Sequence, residues 1–268
     1  MASVMWKELA CADLNALAEQ EAIVVLPVAS MEQHGPHLPV GVDTVLCEAV
    51  CRRAAERVAA QPANPDPLVF EMPPRPVVVA PTLWCGMAEH HMSFGGTFTF
   101  DIPTYRAVLL AFLRSILRAG FRRVAIVNGH GGNMSALNAF LPDLQRETML
   151  RLYATTYFML AVEEMLPLLD RQNGVRHACE VETSMMMALT PDLVKADRLA
   201  EAYGPMFEDT RSVLAPEWQS FQAIMDLSPN GVIGDARTAS AGKGELLLAA
   251  CAGALAAKLL DRKLWDVG

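Results

Sequence analysis

Three short apolar runs, set between longer amphipathic stretches, constrain this chain more than anything else in it. Residues 22–28 read AIVVLPV, 75–82 read RPVVVAPT and 123–127 read RVAIV. None shows the alternating polar face of a half-exposed sheet. Such runs predict strands buried on both sides, as in parallel sheets covered by helices. Helices are predicted over 43–59, 103–119, 136–148, 180–188 and 245–261, with Gly120 in the C′ position of the second. A fourth strand is predicted over 152–157, and the alternating GTFTF at 96–100 predicts a further short one. Strands alternating with helices predict an α/β protein, with a mostly parallel sheet and helices on both faces. Ligands of such sheets bind beyond the carboxyl ends of the strands. A length of 268 residues without repeats predicts a single domain spanning 1–268.

The balance of charge removes several classes of function. The formal net charge is −8, the opposite of the basic footprint that nucleic acid requires. The N-terminal MASVMWKELACADLNALAEQ lacks the basic and apolar regions of a secretory signal, and the apolar run at 23–29 is too short to span a bilayer. The six cysteines form no CxxC pair and suit reduced core thiols; Cys47 and Cys51 share a helical face and are read as packing. A cytoplasmic protein is expected, with neither membrane nor nucleic acid as partner.

The histidines carry the functional signal. There are six, all in polar segments between apolar elements: His34, His37, His90, His91, His130 and His177. In SMEQHGPHLP, Glu32 and His34 are two residues apart and point the same way on an extended backbone. Asp43 follows a turn rich in glycine and proline, where its carboxylate can bridge two cations or cap the next helix. His130 lies in NGHGGN, whose glycines allow close approach to a ligand. This segment lacks the Lys-Ser/Thr end of a phosphate loop and the spacing of a dinucleotide fingerprint. In VRHACEVETS, Glu180 and Glu182 fall at a helix start, where the dipole favours carboxylates with or without a ligand. The loop GMAEHHM supplies His90 and His91, for substrate contacts or an interface. Mixed imidazole and carboxylate ligation suits Zn²⁺, Mn²⁺ or Fe²⁺.

These residues resemble the creatininase family. The resemblance rests on MEQHGPHLPVGVDT, APTLWCGMAEHHMSFGGTFTF, VNGHGGN, HACEVETSMM and GVIGDARTASAGKGELLL, and so runs from residue 31 to about 248. It implies a three-layer α/β/α sandwich and a site for two divalent ions. By motif, Glu32, His34, Asp43 and His130 correspond to metal ligands, with Asp43 as the bridge. Creatininase itself takes its fifth ligand from a glutamate in the second motif, where this chain has Gly132. In the NGHGGN branch, which includes formamidopyrimidine deformylase and mycofactocin-precursor peptidase relatives, Glu182 is the replacement, as a ligand or as an acid–base residue. His177 corresponds to the acid–base histidine; Glu180 is read either as a group that orients it or as a solvated charge. Phe158 and Asn173 stand where creatininase has two tryptophans, which argues against creatinine as substrate.

The resemblance therefore implies a metal-dependent hydrolase that cleaves the C–N bond of a small cyclic amide or formamide-like substrate. Its alternatives are peptide cleavage and a non-catalytic metal-binding protein. A metallophosphoesterase ranks lower, because only Arg176 and Lys243 bring positive charge into the motifs. Family members usually form homo-oligomers, often hexamers. The methionines at 185–187 and the Ala/Leu face of the last helix are read as core, or as interface.

Overall fold

The computed structural model describes residues 3–61, 74–206 and 220–266. Four parallel strands form its sheet: β1 (Ile23–Val28), β2 (Val77–Val79), β3 (Arg123–Asn128) and β4 (Arg151–Thr156), in the order β2-β1-β3-β4. Every residue of β1 is buried. Its side chains divide by parity, as a strand requires. Ile23 and Val25 pack into one cluster, while Val24, Leu26 and Val28 pack into another on the opposite face.

Helices of nine or more described residues cover both faces. On the first lie α2 (Val42–Ala59), α5 (Glu180–Leu189) and α6 (Ala241–Leu260), contributing Leu46, Val50, Met185, Leu248 and Leu255 to the core. On the second lie α3 (Ile102–Arg118) and α4 (Met134–Thr148), with Leu109, Leu113, Leu137 and Leu144 buried. The helix α1 (Cys11–Glu19) packs Leu14 and Leu17 against the second face; the sequence reading had no element there. The result is the expected three-layer α/β/α arrangement. Met185, Met186 and the Leu247, Leu248, Cys251, Leu255 and Leu259 face of α6 are core, whereas Met187 is half-buried and Leu246 is exposed.

Sequence signals explain most boundaries. Asp101 Oδ1 accepts from Thr104 N at 2.9 Å at the start of α3, and Pro103 opens its first turn. Gly120 follows it at φ +97°, the left-handed position that ends a helix. Two expectations fail. The strand at 75–82 shrinks to Val77–Val79, because Pro76 and Pro81 have no N–H to give a ladder. GTFTF is not a strand: Phe98 bridges Met31 and Thr99 bridges Gly86, one pair each. The Gly96 turn at φ +82° swings the segment past two partners without running alongside either.

This topology makes one place special. From β1 the chain goes outward to β2, then returns to β3 on the other side of β1. The strand order reverses between β1 and β3, and a crevice opens at their carboxyl ends.

Candidate metal centre

Two loops leave that crevice. One follows β1 and carries Glu32 and His34; the other follows β3 and carries His130. Asp43 is the second residue of α2, beneath them. The cap position belongs to Gly41, with no side-chain bond, so Asp43 is not a helix cap. Glu182 is in the first turn of α5 and accepts from Cys179 N at 3.4 Å. Glu32, His34, Asp43, His130 and Glu182 are all buried.

Their ligating atoms fall into two sets. Glu32, Asp43 and His130 place one atom each within 4.8 Å of one another, and so do His34, Asp43 and Glu182. Asp43 belongs to both. A third set, Glu32, His34 and His177, also meets that distance.

The hydrogen bonds of the two imidazoles show which way they point. His34 Nδ1 lies 3.0 Å from the main-chain oxygen of Glu32, and His130 Nε2 lies 3.1 Å from that of Met87. A carbonyl oxygen only accepts, so each of these nitrogens carries a hydrogen. The opposite nitrogens face inward, and they are the atoms a metal would take once unprotonated. His34 Nε2 is 3.2 Å from Asp43 Oδ1, and His130 Nδ1 is 3.2 Å from Glu32 Oε1 and 3.0 Å from Asp43 Oδ2. Glu32 Oε1 and Asp43 Oδ2 are buried and complete no hydrogen bond. Buried acceptors crowded together without donors call for positive charge in their midst.

Among the described residues, no lysine or arginine pairs with Glu32 or Asp43. Without a cation, protons are what remain. Burial opposes charging His34, but Asp43, then Glu182 and Glu32, raise it to about 9. Against burial, Glu32 and Asp43 hold His130 well above its usual value. Burial pushes Glu182 up to about 7, with Asp43 adding to it and His34 opposing. Carboxylates that draw protons onto imidazoles this strongly suit a divalent ion. The donor set, with fixed ring orientation and a shared aspartate, fits ions that take mixed N and O ligands.

His177 lies beside this cluster, with Nδ1 3.6 Å from Glu32 Oε1 and its ring 4.4 Å from that of His34. Burial, followed by the charges of His34 and His91, holds it well below its usual value, so it is neutral. Glu180 does not orient it and is not solvated. It is fully buried on the far side of α5, where it accepts from Asp170 N at 3.2 Å and pairs with Lys243. Lys243 is thereby occupied, pairing also with Asp170 at 2.8 Å. Arg176 donates to Asn173 Oδ1 and to Val175 O.

The sequence reading passed over Gln33 and left His91 between a substrate contact and an interface. His91 is buried, with Nε2 3.2 Å from Glu32 Oε1. Gln33 is buried between His91 and His177. On an extended chain Gln33 would point away from Glu32 and His34; here its Oε1 accepts from Gly35 N at 2.8 Å and its amide nitrogen meets His91 and His177. Gly132 leaves no room for a side chain: a Cβ there would lie 2.4 Å from His130 Nε2 and from Met87 O, and 2.7 Å from His90 Cε1. His90 stacks over His130 with ring centroids 5.6 Å apart.

Fold and site together define an α/β protein whose switch-point crevice gathers buried side chains of the divalent-metal-ligand type. A family model for creatinine amidohydrolase (creatininase) matches residues 7–259, and the chain belongs to that family. It is 32% identical over 228 residues to a mycofactocin precursor peptide peptidase of Mycolicibacterium smegmatis, covering 85% of this chain and 80% of the relative. It is 28% identical over 263 residues to a creatinine amidohydrolase of Pseudomonas putida, covering 92% and 90%. A solved variant of creatininase in a Zn–Zn form superposes with a TM-score of 0.76 at 27% identity, covering 100% of both chains.

Proposed function

We propose that this protein is a metal-dependent amidohydrolase that cleaves a C–N bond in a small cyclic amide or formamide-like substrate. The observation that carries this reading is the pair of buried, donorless oxygens, Glu32 Oε1 and Asp43 Oδ2, facing the inward edge of His130. Glu32, Asp43 and His130 would hold one divalent ion, and His34, Asp43 and Glu182 a second, as Zn²⁺, Mn²⁺ or Fe²⁺. When bound, such ions supply Lewis acidity, acidifying water and polarising a carbonyl.

The chain's own residues do the rest. The main-chain oxygens of Glu32 and Met87 fix the rings of His34 and His130, so ligand geometry is set before anything binds. Neutral His177 takes a proton from the water side and delivers it to the leaving nitrogen, without which the amide C–N bond does not break. Burial of the whole cluster excludes bulk water and strengthens every charge in it.

Peptide cleavage is the second reading, favoured by the 32% identity to a peptidase. Both break an amide, and an assay of metal-loaded protein separates them. Turnover of cyclic amides or formamides, but not of peptides, supports the first reading. Turnover of peptides alone supports the second. Activity confined to phosphate esters overturns both.

A further inference from the structure

Gln33 is not among the proposed ligands, yet its buried amide meets polar groups from three distant segments, at His91, His177 and Gly231. Its Oε1 accepts from Gly35 N at 2.8 Å, which fixes the amide with Nε2 as the donor end. That NH₂ group has two hydrogens and three neighbours: Gly231 O at 3.1 Å, His91 Nδ1 at 3.0 Å and His177 Nε2 at 2.9 Å. His177 Nε2 also lies 2.8 Å from the main-chain oxygen of Gln33 itself. The Gly231 and Gln33 carbonyls only accept, so the hydrogens cannot be placed freely.

Two arrangements exist. In one, His177 keeps its hydrogen on Nε2 and donates to Gln33 O, while the amide gives its hydrogens to Gly231 O and His91 Nδ1. Every buried acceptor around the amide is then satisfied, and His91 is left with a hydrogen on Nε2, facing Glu32 Oε1 at 3.2 Å. In the other, the amide donates to His177 Nε2, and Gln33 O loses its donor together with either His91 Nδ1 or Gly231 O. The 2.9 Å approach of the amide nitrogen to His177 Nε2 favours the second, but two unmet buried acceptors outweigh one close contact of donors.

We propose that Gln33 is a positioning residue that, through its main-chain oxygen and side-chain amide, places the hydrogens of His177 and His91 both on Nε2. His177 therefore presents a bare Nδ1 to the crevice, the edge that the function proposed above uses. His91 turns its Nε2–H edge toward Glu32 Oε1, 3.2 Å away, without completing a hydrogen bond. The role given to His177 rests on the function proposed above; the hydrogen positions do not.

Nitrogen NMR of zinc-loaded protein labelled with ¹⁵N only at histidine tests this, in the solid state so that particle size is immaterial. Substituting His91 and His177 singly assigns their signals. In the unsubstituted protein both rings should show a protonated Nε2 and an unprotonated Nδ1. In Gln33→Glu the side chain no longer donates, so His91 should move its hydrogen to Nδ1 while His177 keeps its own on Nε2. A hydrogen on Nδ1 of either ring in the unsubstituted protein overturns the proposal, as does an unchanged His91 in folded Gln33→Glu. If Gln33→Glu does not fold, the unsubstituted spectrum alone decides. Hydrogens placed as expected in a protein that hydrolyses no amide would refute the function and leave this assignment standing.

Discussion

Gly132→Ala is the smallest change that should disable the metal centre without touching a ligand. The new Cβ would fall 2.4 Å from both atoms of the His130 Nε2–Met87 O hydrogen bond, so that bond must open. Overpacking of this kind costs about 1–3 kcal/mol, and the lost bond adds about 0.5–1.5 kcal/mol. For a chain of this size the melting temperature should fall by roughly 4–10 °C. Zinc affinity should fall about 10–100-fold, because a ring freed from its outer partner no longer presents Nδ1 in place. Gly131→Ala is the control. A Cβ there meets nothing within 4 Å, so stability should change by no more than about 0.5 kcal/mol. Competition with a chromophoric chelator measures affinity, and calorimetric melts measure stability. If Gly132→Ala binds zinc as tightly as Gly131→Ala, the His130–Met87 contact does not organise the site and the reasoning fails.

Three further outcomes are expected. His177→Ala should lose about 10²–10⁴-fold in turnover while retaining full metal content; loss of metal in that variant would make His177 a ligand instead. Zinc binding should release protons at pH 7.5, because metal-free His34 titrates at about 9 and a ligand imidazole must be unprotonated. Affinity should therefore climb with pH until about 9, and calorimetry that gives the same heat in buffers of different ionisation enthalpy would contradict this. Lys243→Met should destabilise the fold by about 3–5 kcal/mol, since it strands the buried Glu180 carboxylate. Adding Glu180→Gln should recover much of that loss, and thermal melts that show simple additivity would refute the pairing.

The sheet was legible because β1 and β3 are buried on both faces and their sequences have no polar parity. β2 was overread because apolar character extends past the prolines that end its ladder. Glu32, His34 and His130 drew attention because they follow strand ends, where this fold places ligands; Asp43 and Glu182 lie at helix starts, and Glu182 was proposed only through the family resemblance. Gln33 was not legible, and His91 only in part. Parity on an extended chain turned Gln33 outward, whereas in the fold its amide folds back onto Gly35 N, His91 and His177. The histidine pair of the 89–91 segment drew attention, but its pattern did not separate substrate contact from interface. Glu180 misled for the opposite reason. It sits three residues from His177 in the sequence, but on the opposite side of the α5 start, where Lys243 arrives from α6.

The account stands most directly on where divalent ions go. Anomalous diffraction from crystals grown with zinc should show one peak among Glu32, Asp43 and His130 and another among His34, Asp43 and Glu182, both absent in Asp43→Asn. No peak beside Asp43, or peaks that persist undiminished in Asp43→Asn, would contradict it.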